Sequence, residues 1–320
     1  MRGVAAIAVF GVLLSAAAVL RLLVGGEGLG WPGSPTLWEL RLERLAAGAA
    51  VGSSLAVAGV LLQSLLRNPL ASPDLMGLAA GSGFCVMLAQ AAGLGSVVTL
   101  AGFGAAAGPA LFGALGALGL VYLLSQRRGL IDPVSMVLVG VIVGLVFGAA
   151  TELVRFTLPD RGENAARWLL GGLNGEVRWE SAAIVGGLAV AAMILSCLQA
   201  RSMDAASLSE DEARSAGVPL ARLRAFQFVA SGVLTAAAVT IAGPIGFIGL
   251  VAPHVARLVN GPGHGTLVVA AGLAGAALVV GADAGVMSVR LPSGRPPIGV
   301  LTSMLGGPVF LALLWRERRG

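Results

Sequence analysis

Long apolar stretches follow one another from one end of the chain to the other, separated by short polar segments. About 20 consecutive apolar residues are enough for a helix to cross a hydrocarbon core about 30 Å thick. The pattern therefore predicts an all-α polytopic membrane protein with about ten transmembrane helices, forming a single domain over residues 1–320. The predicted spans are 3–24, 45–66, 75–92, 97–125, 133–157, 181–200, 226–243, 247–260, 266–289 and 298–315.

Two of these spans are less regular than the others. The stretch 75–92 is short for a complete crossing, and 226–260 can also be divided differently around Pro244. The first stretch, 3–24, fits either a retained helix or a cleaved signal peptide. The many later spans favour a retained helix.

The composition agrees with a membrane protein. Hydrophobic residues make up 57% of the chain and charged residues 12%, with a mean hydropathy of +0.90. Soluble domains carry about 25% charged residues, so this chain has about half their charge. Cys85 and Cys197 lie within apolar stretches and are too few for a disulfide framework or a metal cluster.

All 21 basic residues are arginine, and the chain contains no lysine. A P-loop ATPase needs a lysine on the nucleotide phosphates, and retinal or pyridoxal proteins need a lysine amine for their Schiff base. Those classes are therefore excluded. If this protein moves a solute with energy from ATP, a separate subunit must hydrolyse the ATP.

The arginines also predict the orientation of the chain. Cytoplasmic loops of membrane proteins are enriched in basic residues. Ten spans starting inside place both termini in the cytoplasm, which agrees with Arg2 and with the arginine-rich tail. The same topology explains the pI near 10.8 without nucleic-acid binding. It leaves Arg41 and Arg44 outside, where they require another explanation.

Residues 243–257, GPIGFIGLVAPHVAR, contain two prolines, three glycines, a histidine and an arginine. Proline removes a backbone donor, and ionisable side chains in hydrocarbon need water or a partner. The segment is therefore predicted to be broken, closely packed and functional. His254 and Arg257 share one helix face, which favours packing and a cytoplasmic gate over metal binding, because the only other histidine, His264, lies ten residues away beyond glycines.

Three further polar positions belong to the second span and its end. Asn68 and Pro69 form a turn signal that ends this span. Gln63 lies within the span, where it either bonds across helices or faces a pathway.

The polar segment 203–224 is the longest amphipathic piece on the cytoplasmic side. Ser209 or Ser207 can cap a helix whose first turn is acidic, and Gly217 and Pro219 end it. A second short helical turn is expected around Arg222 and Arg224. The pattern alone fits either a solvated loop or a docking element for a cytoplasmic partner.

Four blocks of sequence, in order, resemble the permeases of ABC importers for iron-siderophores, haem and cobalamin. They are RLERLAAGAAVGSSLAVAGVLLQSLLRNPLASPDLMGL (41–78), WLLGGLNGEVRW (168–179), SEDEARSAGV (209–218) and GPIGFIGLVAPHVARLVNGPGH (243–264). The last is followed by GAD (281–283) and PPIGVLTSMLGGPVFLALL (296–314). The resemblance covers nearly the whole chain.

The resemblance implies a type II ABC importer permease that moves a bulky metal chelate by alternating access in the bacterial cytoplasmic (inner) membrane. It implies a dimer of this chain, with a heterodimer of two paralogous permeases as the alternative. Two ABC ATPase subunits would dock below and a substrate-binding protein above. ATP and Mg²⁺ would be used by the ATPase, and this chain would bind no cofactor.

The resemblance also assigns site residues. Arg41 and Arg44 would dock the binding protein through carboxylates, whereas the residues alone also allow interfacial snorkelling or pairing with Glu39 or Glu43. The coupling segment would contact the ATPase through Ser209, Glu210, Glu212, Ala213, Gly217, Val218 and Arg222. The pathway or its gate would involve Gln63, Asn68, Pro69, Pro244, His254 and Arg257.

The chain departs from the family pattern at three places. Glu43 replaces a usual proline, and Met287 stands where the family has an arginine four residues after the aspartate. Arg290 and Arg295 are candidate replacements for that arginine. Arg295 itself stands at a usual acidic position, so docking details near 284–297 differ from the family's.

Two other function classes remain as alternatives. An ion-coupled secondary transporter would use a broken-helix site, with Glu152 or Asp283 as the ionisable group. Both residues fall late in outward-running spans, away from the midplane. A membrane-embedded enzyme is disfavoured by the absence of a metal-ligand cluster or a nucleophile–base arrangement in the sequence.

Overall fold

The computed structural model describes residues 2–25, 28–94, 106–127, 130–158, 163–173, 177–289, 291–292 and 294–317. Its helices are α1 (Arg2–Leu23), α2 (Pro35–Leu66), α3 (Leu78–Ala91), α4 (Ala107–Leu124), α5 (Pro133–Thr157), α6 (Glu163–Leu169), α7 (Trp179–Leu198), α8 (Ala200–Leu208), α9 (Glu210–Ser215), α10 (Leu220–Ala242), α11 (Ile248–Asn260), α12 (His264–Ser288) and α13 (Ile298–Glu317). A 3-10 turn, Pro73–Met76, precedes α3.

Two short antiparallel hairpins connect helices. β1 (Val24–Gly25) pairs with β2 (Gly28–Leu29), and β3 (Gln126–Arg127) pairs with β4 (Leu130–Ile131). Both lie between successive spans, so the body of the fold is helical, as the sequence predicted.

Each of the ten predicted spans coincides with a helix, and the boundaries mostly agree within three residues. The larger differences are α2, which begins ten residues before its predicted span, and α10, which begins six before. The predicted start at residue 97 lies outside the described residues. Seven of the described helices are long and apolar enough to cross a membrane. Helix α3 and the first part of α13, Ile298–Pro308, are shorter apolar helices.

The central helix is α2, which packs against α1, α7, α10, α11 and α12. Its apolar part is the most buried of the candidate spans. Glycines allow this packing: a Cβ on Gly52 would lie 2.2 Å from the carbonyl oxygen of Gly275, and a Cβ on Gly59 would lie 1.9 Å from that of Gly249. Small residues at such crossings let membrane helices approach closely, since lipid gives no hydrophobic drive between them.

Helices α3 and α11 are half-length and begin near the middle of the membrane. Gly249, in the first turn of α11, faces Leu55 of α2. Leu55 lies 11 residues from Leu66, where α2 ends, and 11 residues from Arg44, which precedes the apolar part of α2. At 1.5 Å per residue this is about 16 Å from either end, half of a typical hydrocarbon core. Pro73 contacts the same Gly249. The chain after α2 therefore turns back into the membrane before α3 begins.

Helix caps follow sequence signals. Ser34 accepts a hydrogen bond from the backbone of Leu37 at the start of α2, and Asp132 accepts one from the N–H of Ser135 at the start of α5. The Ser135 hydroxyl and backbone N–H hold the pKa of Asp132 below its usual value, since both stabilise the ionised carboxylate.

Candidate docking, pathway and coupling sites

A buried ionic cluster joins α1, α2 and α12 at the end of the bundle that carries the hairpin β1–β2. Asp283 of α12, 1% exposed, accepts hydrogen bonds from Nε of Arg21 in α1 and from Arg44 in α2. Arg44 binds through Nε at 3.0 Å and Nη2 at 2.7 Å, an arrangement close to bidentate. Two guanidinium groups thus share one carboxylate, which leaves a net positive charge at this corner.

Arg41 lies beside this cluster and is held by backbone oxygens. Its Nη1 donates to the carbonyl oxygen of Leu22 and, at 2.8 Å, to that of Gly30. Gly25 leaves space for the guanidinium, because a Cβ there would lie 2.0 Å from Nη2 of Arg41. Arg41 therefore fixes the short hairpin between α1 and α2.

Arg41 and Arg44, the two predicted docking residues, do not show the pairing with Glu39 or Glu43 that the sequence also allowed. Arg44 binds Asp283, 239 residues away, and Arg41 binds backbone, so Glu39 and Glu43 are not their described partners. Arg44 keeps 22% of its side chain exposed.

Met287, where the family resemblance expects an arginine, lies close to this cluster. Met287 is buried one turn from Asp283, and Arg21 reaches the carboxylate from α1. Arg295 is exposed, and Arg290 lies outside the described residues. Arg21 was not identified from the sequence, although an arginine inside an otherwise apolar stretch was a signal that it had a partner.

Three backbone segments meet near the same end of the bundle as the ionic cluster. The N–H of Gly172 donates to the carbonyl oxygen of Ala242 at 2.7 Å, and that of Gly299 donates to the carbonyl oxygen of Gly171 at 3.1 Å. A Cβ on Gly171 would lie only 1.8 Å from the carbonyl oxygen of Pro244. Close packing thus requires glycine at position 171, and Pro244 lies in the seam between these segments.

Non-helical backbone continues from this seam to the start of α11. Gly243 and Phe247 both adopt positive φ, +63° and +67°, and the five residues 243–247 separate α10 from α11. The predicted break is confirmed. Membranes tolerate such backbone only where it is buried in protein or lines a cavity, so this segment marks the interior or the pathway.

Asp74, a residue that the sequence analysis did not select, lies where the two half-helices begin. Its carboxylate accepts a hydrogen bond from the Ser72 hydroxyl at 2.9 Å and interacts with the backbone N–H of Phe247. This N–H is at the positive N-terminal end of α11, which favours a negative charge. The contact connects the re-entrant segment, residues 67–77 between α2 and α3, to the broken segment 243–247.

Beyond this junction, towards the end of α2 at Leu66, two of the predicted gate residues are in direct contact and a third forms the turn that follows. Gln63, 2% exposed, accepts from Nη2 of Arg257 at 3.2 Å and donates to the carbonyl oxygen of Ala71 at 3.3 Å. Asn68 accepts from the N–H of Leu70 at 2.9 Å, which forms the turn that includes Pro69. Cross-helix bonding by Gln63 and the end of α2 at Leu66 are both confirmed.

His254 is buried on α11, one turn from Arg257. His264 lies elsewhere, at the start of α12, with its ring bound to Asp204. Within the described ranges, no three His, Cys, Asp or Glu side chains are grouped so that they could hold a metal ion.

The predicted coupling segment, 203–224, covers most of α8, all of α9 and the start of α10. Ser209 caps α9 through the N–H of Glu212 at 3.1 Å, and its hydroxyl donates to the Glu212 carboxylate at 2.7 Å. The cap predicted at Ser209 is therefore confirmed. Gly217, at φ +77°, ends α9, and the N–H of Val218 bonds the carbonyl oxygen of Ala213.

Two features of this segment differ from expectation. Arg222 and Arg224 lie among the first five residues of the long helix α10 and not in a separate short helical turn, because Pro219 permits a helix to begin directly after it. A helix over 200–208, α8, precedes Ser209 and buries Met203 and Ala206 in the core. Ala213 is fully buried, so the segment is attached to the bundle.

Glu152 and Asp283, the two acids considered for an ion-coupled site, lie away from the junction of the half-helices α3 and α11. Glu152 is exposed on α5 with Arg155 at 3.7 Å, and Asp283 is bound by two arginines. Neither is at the half-helix junction.

Comparisons with known proteins identify the family. Residues 2–316 match the model of the FecCD transport family. The chain is 36% identical to a cobalamin import system permease of Halobacterium salinarum, over 87% of this chain and 73% of that one. It is 34% identical to a hemin transport system permease of Yersinia pestis (88% and 84%) and 36% identical to a vitamin B12 import system permease of Klebsiella pneumoniae (96% and 90%).

A solved structure agrees over almost the entire fold. It is described as a metal-chelate type ABC transporter in an inward-facing conformation, and it superposes with a TM-score of 0.83 at 27% identity. The match covers 98% of this chain and 99% of the other. The chain therefore belongs to the FecCD transport family and is a multi-pass inner-membrane permease subunit of an ABC importer.

Proposed function

We propose that this chain carries a bulky metal chelate, an iron-siderophore, haem or cobalamin, across the cytoplasmic membrane. The relatives named for cobalamin, vitamin B12 and hemin support this class of cargo. A chelate arrives with its metal already coordinated. The pathway then needs smooth walls and no ligand cluster, which is consistent with the small-residue packing of α2, α11 and α12.

The working unit in this proposal is a dimer of this chain, with the pathway along the dimer axis. Two ABC ATPase subunits bind below it and one substrate-binding protein binds above. ATP and Mg²⁺ belong to the ATPase, in agreement with a chain that has no lysine. Both termini lie in the cytoplasm.

The transport cycle alternates between two access states. Docking of the binding protein acts on the outer corner at Arg41 and Arg44, and closure of the ATPase pair acts on the segment 203–224. Each event shifts the equilibrium only because it binds one state better than the other. The pathway between them includes the half-helix junction and the inner contacts of Gln63, Asn68 and Arg257.

The observation that carries this proposal is the meeting of two half-helices at mid-depth. The re-entrant segment 67–77 and the broken segment 243–247 put non-helical backbone where a simple anchor would have continuous helix. Membranes tolerate such backbone only where it is buried in protein or lines a cavity, and broken helices of this kind build the binding sites of many transporters.

Co-purification tests the assembly. The tagged chain, isolated from native membranes in mild detergent and treated with a cross-linker, is expected to yield a stoichiometric ABC ATPase and a binding protein. Mass spectrometry identifies both, and the ligand bound to the captured binding protein identifies the cargo. A homo-oligomer recovered repeatedly without any ATPase would contradict the proposal and favour an ion-coupled transporter.

A further inference from the structure

Helix α12 is bonded at both ends to the two surfaces at which partners are proposed to bind. It runs without interruption from His264 to Ser288, 25 residues, and contains no proline. At 1.5 Å per residue it is about 37 Å long, enough to cross the membrane.

At its cytoplasmic end, α12 is bonded to α8. Oδ1 of Asp204 accepts the backbone N–H of His264 at 3.0 Å and lies 2.6 Å from Nδ1 of the same residue. The imidazole is buried, with 7% of its side chain exposed. Asn260 donates to the carbonyl oxygens of Gly261 and Gly263, which fixes the turn that leads into α12.

At its outer end, α12 holds the arginine corner. Asp283 lies five residues before the end of the helix and binds Arg44, the exposed member of the pair, as well as Arg21. Movement of α12 therefore moves the guanidinium group that is proposed to meet the binding protein.

Between the two ends, α12 and α2 pack as one body. A Cβ on Gly275 would lie 2.3 Å from the carbonyl oxygen of Gly52, and the Ser53 hydroxyl donates to the carbonyl oxygen of Gly272 at 3.1 Å. Closely packed interiors are stiff and pass displacement on instead of absorbing it. The helix pair has little room to bend between its two attachments.

We propose that α12 is a rigid link between the cytoplasmic coupling segment and the outer docking corner, with Asp204 and His264 as the positioning residues that attach α8 to it. This inference rests on the proposed function. Closure of the ATPase pair displaces α8, the Asp204–His264 contact carries α12, and Asp283 repositions Arg44. By linkage, docking of the binding protein outside shifts the ATP-dependent closure equilibrium of the ATPase pair by the same free energy.

Three variants of the full complex test this link in lipid nanodiscs. Asp204→Ala removes both contacts to His264. Asp204→Asn keeps an oxygen for the helix cap, since asparagine is a good capping residue. Glu152→Ala, on the exposed surface of α5 and outside the segment 203–224, removes the same charge without a described bond to α8 or α12.

The first readout is ATP hydrolysis with and without the binding protein. We expect Asp204→Ala to keep basal hydrolysis within about twofold and to lose most of the stimulation, about fivefold or more on the scale of allosteric coupling. Asp204→Asn should retain more of the stimulation, and Glu152→Ala should match the parent. Unchanged stimulation in Asp204→Ala, or an equal fall in basal and stimulated rates, would overturn the link.

The second readout distinguishes a link from a helix cap that only stabilises α12, because a cap alone would not change how nucleotide affects binding-protein affinity. The Kd of the binding protein is measured with the ATPase nucleotide-free and with it held in the ATP-bound state. The parent is expected to show a shift of about fivefold or more, and Asp204→Ala a shift below about twofold. A parent that shows no stimulation by its binding protein would contradict the proposed function itself, whereas a parent-like shift in Asp204→Ala would contradict only the link.

Discussion

At the scale of single residues, charges that are far apart in sequence form close, buried interactions in this protein. Arg21 and Asp283 are separated by 262 positions, yet both are almost fully buried and in contact. A charge within a membrane bundle is stable only with a partner. The outer corner therefore combines a structural requirement with a surface that carries positive charge.

Replacing the shared carboxylate should destabilise the fold. Asp283→Asn leaves two guanidinium groups without their anion, and removal of one partner of a buried pair costs about 3–5 kcal/mol. Thermal unfolding of the detergent-purified chain measures the effect. The matched control is Glu152→Gln, which breaks an exposed pair and should change stability by less than about 1 kcal/mol. Equal melting temperatures for the two variants would contradict the structural role of the cluster.

Backbone conformation makes Gly217 a second sensitive residue. Its φ of +77° is a conformation that glycine adopts readily and other residues rarely adopt. A Cβ at this position would nevertheless contact no neighbouring atom. Gly217→Val should therefore strain the end of α9 by about 1–2 kcal/mol without a steric clash, and it should lower binding-protein-stimulated ATP hydrolysis. Gly217→Asn is the control, because asparagine tolerates this conformation. Normal stimulation in the valine variant would exclude a coupling role for this turn.

At the scale of helices, the crossing of α2 and α11 determines where the pathway can lie. Gly59 and Gly249 contact each other there through their backbones, and Pro73 packs on the same spot. Three elements thus meet at mid-depth with no space for side chains.

A side chain at this crossing should separate the helices. Gly59→Val places its Cβ where the carbonyl oxygen of Gly249 now lies, 1.9 Å away, so α2 and α11 must move apart. We expect a large loss of folded protein in membranes, measured by fluorescence size-exclusion chromatography of a tagged chain. Gly116→Ala, at a position with open space, is the control and should express like the parent. Parent-like yield from Gly59→Val would contradict the close contact.

The sequence predicted helix positions well because apolar length is a local property. It could not predict how deep in the membrane each helix begins. The stretch 75–92 is short for a complete crossing, but nothing in its own residues shows that α3 starts at mid-membrane. The amphipathic helix α8 and the ion pair at Arg21 were missed for the same reason, since both depend on partners distant in the chain. The cap at Ser209 and the break at 243–247 were predicted, because serine, glycine and proline act within a few residues.

At the scale of the whole molecule, the proposed topology puts the arginine corner outside and the coupling segment inside. Single cysteines test this in a Cys85→Ser, Cys197→Ser background. An impermeant thiol reagent applied to intact spheroplasts should label Gly30→Cys and should label Asp211→Cys only after permeabilisation. Both positions are exposed on opposite ends of the bundle in the proposed topology. The reverse pattern would invert the assignment of the docking and coupling surfaces.

The most direct test of the account is energised uptake by the purified system. The permease is reconstituted into liposomes with its co-purified ATPase and supplied with the cargo-loaded binding protein, and cargo accumulation is measured. The account predicts accumulation that requires ATP and Mg²⁺ on the ATPase side and continues when proton and sodium gradients are collapsed. Uptake by the permease alone, driven by an ion gradient and indifferent to ATP, would contradict it.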